Sequence, residues 1–144
     1  MKKEIRTEIT IQASPERIWE ILSNFENYAN WNPFIKSIRG NVKTGEKIIV
    51  RLEPPEGKGM TFKPKVLAFD KNKEFRWMGH LLFPGLFDGE HRFELIDNGD
   101  GTTTFIHAEK FRGILVRMFS KMLDGSTLNG FRAMNQKLKE EAEK

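Results

Sequence analysis

Apolar and polar residues alternate along most of this chain. Over Lys3–Gln12, Ile5, Thr7, Ile9 and Ile11 fall on one face and Glu4, Arg6 and Glu8 on the other, the two-residue period of a half-buried strand. The period returns in Lys47–Glu53, with Ile48, Val50 and Leu52 on one side, and in Met60–Phe69, where Phe62, Pro64, Val66 and Ala68 oppose Lys63 and Lys65. Pro64 marks an edge or a bulge in that strand, because it has no N–H to give to a ladder. Residues 75–80, Asp88–Ile96 and Thr102–Arg112 alternate as well, and residues 35–42 make a shorter strand. Turns punctuate the runs, and Asp97-Asn98-Gly99-Asp100-Gly101 is the strongest hairpin signal among them.

Two stretches carry the longer period of helices. Ser14 is placed as an N-cap and Pro15 at the first helical position; Ile18, Trp19, Ile21, Leu22 and Phe25 then form an apolar stripe, and the helix ends near Asn24. Asn27–Phe34 reads as a short second helix or turn. The proline-free segment Ile114–Lys144 reads as a long helix, which at full length spans roughly 45 Å. Its apolar positions Ile114, Leu115, Met118, Phe119, Met122 and Leu123 do not share a stripe with Leu128, Phe131, Met134, Leu138 and Ala142. The stripe changes at Asp124-Gly125-Ser126, which predicts a kink or short break.

Hairpin-length turns join antiparallel strands, and one apolar face per strand means one covered face of the sheet. The long helix is the element large enough to cover it. The expected fold is therefore α+β: a curved six- to seven-stranded antiparallel sheet wrapped around a long C-terminal helix, with one or two short helices after the first strand.

Composition narrows the function classes. A chain of 144 residues with 38% hydrophobic and 31% charged residues fits a single domain spanning 1–144. The absence of cysteine excludes disulfides, thiolate catalysis and cysteine-based zinc sites. The net charge of +4 is spread along the chain without a basic block, so no nucleic-acid partner is expected. No 18-residue apolar run and no apolar signal core occur, and a cytoplasmic protein without a transmembrane segment is expected. Twelve Phe and three Trp against one Tyr give aromatic area with few polar handles, suited to a core or a dry cavity.

Several stretches resemble the START-like (SRPBCC) superfamily, and in particular its polyketide cyclase/dehydrase family 2 branch. They are Ala13–Trp19 (ASPERIW), Tyr28–Ile35 (YANWNPFI), Phe83–Phe93 (FPGLFDGEHRF), Phe105–Gly113 (FIHAEKFRG), Gly130–Asn135 (GFRAMN) and Leu138-Lys139. The resemblance implies the helix-grip fold and a ligand cavity between sheet and long helix. It covers lipid and hormone carriers, aromatase/cyclases, coenzyme Q-binding proteins and a chaperone ATPase activator, so it implies no single activity.

Candidate chemistry gathers at the Asp97–Gly101 hairpin. Residues of equal parity share its inner face, so His91, His107 and Glu109 cluster among Phe93, Phe105 and Phe111. Centring the turn near Gly99 sets His91 opposite His107; a two-residue register change sets it opposite Glu109. The trio reads as a satisfied buried network, as a polar anchor for a ligand head group, as a general acid/base pair, or as part of a metal site. No further ligand or recognised spacing supports a metal, and nothing calls for a cofactor. His80 has outward parity.

Trp31, Phe34, Phe62, Trp77, Phe87, Phe93, Phe105 and Phe111, with Met118 and Met122 on the long helix, are the expected ligand-binding residues beside His91, His107 and Glu109. On this reading the Met118/Met122 half of the helix faces the ligand and the Phe131/Leu138 half anchors it to the sheet. The Leu81–Phe87 connection, five of whose seven residues are large and apolar, is either a lid or core. The expected function is binding of a small hydrophobic molecule (a lipid, polyketide or other aromatic). A polyketide aromatase/cyclase- or dehydrase-like enzyme and a protein-interaction module are the alternatives.

Overall fold

The computed structural model covers residues 1–144. The strands are β1 (Lys2–Ile11), β2 (Ile35–Arg39), β3 (Ile49–Leu52), β4 (Met60–Phe62), β5 (Lys65–Asp70), β6 (Glu74–His80), β7 (Asp88–Asp97) and β8 (Thr103–Arg112). The helices are α1 (Pro15–Ser23), α2 (Tyr28–Trp31), α3 (Val116–Met122) and α4 (Leu128–Ala142). All strand pairs are antiparallel, in a five-stranded ladder of order β1-β8-β7-β6-β5 and a three-stranded ladder of order β2-β3-β4. The architecture is the expected sheet gripping a long helix.

The strand count is eight because the Met60–Phe69 run splits at Lys63-Pro64. Pro64 cannot continue a central ladder, and the two pieces go to different sheets. The seam is closed by backbone bonds from Gly45 N to Val66 O (2.8 Å), Val66 N to Glu46 O (2.9 Å) and Ile48 N to Pro64 O (3.0 Å). A register shift between Val66 and Ala68 then re-aims β5. Val66 is buried and Phe69 packs on Phe75, whereas Leu67 is exposed, so the alternation read through Ala68 is broken by the bulge.

α1 is capped as expected, with Ser14 Oγ accepting from Arg17 N at 3.1 Å, and it buries Ile18, Trp19 and Leu22. Tyr28 closes this end of the core by donating its hydroxyl to the Leu22 carbonyl. Complete burial pushes its phenol far above the ordinary tyrosine range.

The long helix is not broken. α3 and α4 run on through a π-helical turn at Leu123–Thr127, in which Leu128 N–H reaches the Leu123 carbonyl five residues back. The buried positions explain it. Val116 to Leu123 and Phe131 to Leu138 are each seven apart, but Leu123 to Phe131 is eight. The π turn absorbs the extra residue, so one buried face continues along the whole helix.

This overturns the division of the helix into ligand-facing and anchoring halves. Met118 is 71% exposed and Met122 47%, both on the side opposite Val116 and Leu123. At about 100° per residue, Met118 and Met122 cannot share the face of Val116 and Leu123. Two methionines among good helix formers looked like a cavity wall only because the stripe was centred on the wrong residues.

The Leu81–Phe87 connection is neither wholly lid nor wholly core. Leu82 and Phe83 are 86% and 55% exposed, while Phe87 stacks on Phe111 (5.5 Å) and meets Phe119 edge-on (5.1 Å). Ile114 N bonds to Gly85 O (3.2 Å) and Leu115 N to Leu86 O (3.0 Å), tying the loop to the start of the helix. Gly113, at φ +136°, makes that approach possible, because a side chain there would collide with the Leu86 carbonyl.

Candidate functional site

The Asp97–Thr102 turn sets the site. Asp97 Oδ1 accepts from Gly99 N at 2.9 Å, and the strands leave in the register His91↔Glu109, Phe93↔His107 and Leu95↔Phe105. This is the second of the two registers that the hairpin allowed, and it brings His91, His107 and Glu109 together on the concave face. His80 lies on the outer face, exposed, with Nδ1 2.7 Å from Asp88 Oδ1.

A continuous chain of polar contacts crosses the core. Glu109 Oε1 is 3.0 Å from His91 Nδ1, and His91 Nε2 is 2.8 Å from His107 Nε2. His107 Nδ1 is 2.9 Å from Asn135 Oδ1, and Asn135 Nδ2 donates to Thr7 Oγ1 at 2.8 Å. Thr7 in turn donates to the His107 carbonyl at 2.8 Å. Both imidazoles are buried and wedged between aromatic rings. Trp77 stacks on His91 at 4.7 Å, and Phe131 lies parallel to His107 at 4.0 Å. Phe93 touches both, with ring centroids 4.9 Å and 4.7 Å away.

Burial, then the charge of neighbouring His91, holds the His107 pKa well below the ordinary histidine value; the contacts with Asn135 and the Phe131 carbonyl oppose this and lose. His107 is therefore neutral. The 2.8 Å between the two Nε2 atoms is a hydrogen-bond length. The pair therefore shares a proton along that line.

Glu109 differs from the histidines in reaching solvent, with its side chain 14% exposed. It does so from the concave face, where its carboxylate lies over Gly89 and beside Phe111. From Phe111 the aromatic contacts run through Phe87 to Phe119 on α3. The polar chain thus has its wet end under the first turns of the long helix, at the loop that is tied to it.

The remaining expected lining residues divide. Trp31, Phe34, Trp77, Phe93, Phe105 and Phe111 are buried, and Phe62 and Phe87 are partly buried. They pack on one another: Phe62 on Trp77 (6.4 Å), Phe93 on Phe105 (5.9 Å) and Phe34 on Phe131 (5.5 Å). Met118 and Met122 are not part of the set. Four surface depressions of about 410–480 Å³ open elsewhere, and none is lined by His91, His107, Glu109 or Trp77.

Sequence reasoning missed Thr7 and Asn135. Both stand as polar residues in apolar stripes, Thr7 between Ile5 and Ile9 and Asn135 between Met134 and Leu138, which is the same signal that marked the histidines. It also missed buried donors without a protein acceptor, among them the indole N–H groups of Trp31 and Trp77 and the Asn32 side-chain amide. Asn32 Oδ1 is engaged, accepting from Phe34 N (3.0 Å) and Ile35 N (2.8 Å).

Over residues 2–143 the sequence matches the polyketide cyclase/dehydrase and lipid transport family, and the chain belongs to it. No curated protein sequence matches the chain. Among solved structures it is similar to the Zhui aromatase/cyclase of Streptomyces sp. R1128, at 15% identity and a TM-score of 0.77, over 99% of this chain and 94% of that one. It is similar to the di-domain aromatase/cyclase BexL of the BE-7585A biosynthetic pathway (12%, TM-score 0.76, 99% of this chain and 50% of that one). It is also similar to a START superfamily protein from Mycobacterium smegmatis (23%, TM-score 0.70, 95% and 97%). At these identities the likeness is one of fold.

Proposed function

We propose that this protein binds a small hydrophobic molecule, a lipid or an aromatic or polyketide compound, between the concave sheet face and the long helix, with Glu109 orienting its polar end. The observation that carries the reading is the position of Glu109. It is a carboxylate on an otherwise aromatic inner wall, backed by buried His91 and His107, and it is the member of the trio open to solvent. Binding sites for such molecules are mostly apolar with a few placed polar groups. Membership of a family described by cyclase, dehydrase and lipid-transport roles agrees with this class of ligand.

Entry is between α3 and the Leu81–Phe87 loop, which move together. α3 is the lightly held part of the helix, with Val116 its one fully buried side chain. Trp31, Phe62, Trp77 and Phe93 then pack on the ligand, and the free indole N–H groups of Trp31 and Trp77 offer it donors. The test is an NMR titration of ¹⁵N-labelled protein with fatty acids, quinones, sterols and flavonoids. Binding moves the Trp77 indole, His91 and Glu109 signals; a panel that leaves all three in place rejects the reading.

The 3.0 Å contact between His91 and Glu109 favours a second reading, acid–base catalysis of a cyclase or dehydrase kind on the same ligand class. Turnover of a poly-β-carbonyl substrate that disappears in Glu109→Gln supports it. Turnover that survives replacement of both His91 and Glu109 excludes it.

A further inference from the structure

We propose that Thr7 and Asn135 are positioning residues that fix the direction of every hydrogen bond in the core chain, so that His91 and Glu109 hold one mobile proton between them at the concave face. The use of that proton rests on the binding reading above; its existence does not.

The derivation begins at Thr7, which has one hydroxyl hydrogen. The His107 carbonyl, 2.8 Å away, is an acceptor only and takes it. Thr7 Oγ1 must then accept from Asn135, which requires the amide nitrogen to face it, at 2.8 Å. That turns Asn135 Oδ1 toward His107 Nδ1 at 2.9 Å, so His107 carries its proton on Nδ1. A neutral His107 with Nδ1 protonated has a lone pair on Nε2. His91 Nε2, 2.8 Å away, must therefore be N–H. The opposite orientation of the Asn135 amide would ask Thr7 to donate two hydrogens.

One position is left undetermined, His91 Nδ1 against Glu109 Oε1 at 3.0 Å. With no proton there, two lone pairs face each other; with two, two hydrogens collide. The pair is satisfied with one proton, placed either on nitrogen, as imidazolium and carboxylate, or on oxygen, as imidazole and carboxylic acid. The other Glu109 oxygen carries no hydrogen in either form and only accepts. The site is thus matched to a ligand that presents a phenol or enol hydroxyl, and that hydrogen bond favours the first form, the carboxylate beside an imidazolium.

The test reads the imidazole nitrogens by long-range ¹H–¹⁵N correlation in the ligand-free protein near neutral pH. His107 is expected as the Nδ1–H tautomer and His91 with Nε2 protonated. In Thr7→Val, which keeps the side-chain shape but removes the hydroxyl, the Nε2–H tautomer of His107 is expected to appear; Thr7→Ser is expected to restore the wild-type pattern. A wild-type His107 protonated on Nε2 overturns the proposal, and so does a Thr7→Val spectrum unchanged from wild type. If Thr7→Val does not fold, the wild-type and Thr7→Ser spectra still decide it. Because no ligand is present, failure of the ligand titration leaves this result standing, and the reverse holds as well.

Discussion

The Glu109 carboxylate occupies the space above Gly89 where any other residue would carry its Cβ. Gly89 pairs with Phe111 and Glu109 with His91, so the carboxylate reaches Gly89 diagonally across β7 and β8. Gly89 is not in the left-handed region, so its backbone accepts alanine; the carboxylate does not. Gly89→Ala is expected to fold, to push Glu109 away from His91, and to lower stability by about 1–3 kcal/mol through the buried group left unpaired. Ligand affinity is expected to fall tenfold or more. Denaturant titration and the NMR binding assay check the two parts, and unchanged binding in a folded Gly89→Ala variant removes Glu109 from the site.

A second close approach fixes the helix on the sheet. Gly130 in α4 sits against the Phe34 ring, and a Cβ there would fall inside the ring's contact distance. In a free helix, replacing glycine with alanine stabilises by about 1 kcal/mol. Here Gly130→Ala is expected to destabilise by about 1–3 kcal/mol through overpacking of a buried ring. Gly130→Ala combined with Phe34→Leu is expected to recover part of that loss, a coupling that a double-mutant cycle measures. Strictly additive effects would mean that the two residues do not press on each other.

His107 makes stability depend on pH in a stated direction. Its folded pKa is depressed below the unfolded value near 6.5. Below that pH the unfolded chain binds a proton that the folded chain refuses, so acid favours unfolding. For one such group the loss from pH 7.5 to 5.5 is about 1.4 kcal/mol, and nothing is lost above the unfolded value. Denaturation of wild type and His107→Gln over that range isolates the contribution. Equal slopes for the two proteins would show that His107 is not held neutral.

These sites were unequally legible in the sequence. The strands, the α1 cap and the His91–His107–Glu109 cluster follow from period and parity, because alternation is a direct image of a one-sided sheet. The choice between registers did not, since both registers of the hairpin keep the same residues inside. Pro64 was visible as a break but not as a passage between two sheets, which depends on pairing with residues 45–48. Met118 and Met122 were misplaced for a related reason. A stripe has a direction only once the residue that anchors it is known, and Val116 lay outside the apolar set that defined it. Thr7 and Asn135 come from opposite ends of the chain, and their meeting is a property of the β1–β8 register and of α4.

The π turn offers the sharpest test of how the long helix is built. If Leu123–Thr127 exists to absorb one residue, deleting Gly125, whose position has open space around it, should convert the turn to regular α-helix. Leu123 and Phe131 would then be seven apart, on one face, and a weak helix former would be gone. The deletion is expected to leave stability within about 1 kcal/mol of wild type. Deleting Gln136, which is exposed and lies between Phe131 and Leu138, removes the same amount of chain but rotates Leu138 and Ala142 by about 100° out of the core. That variant is expected to lose several kcal/mol, comparable to truncating a buried leucine. Thermal unfolding followed by circular dichroism separates the two. If deleting Gly125 is as damaging as deleting Gln136, the π turn is not a spacer but a structure the site requires.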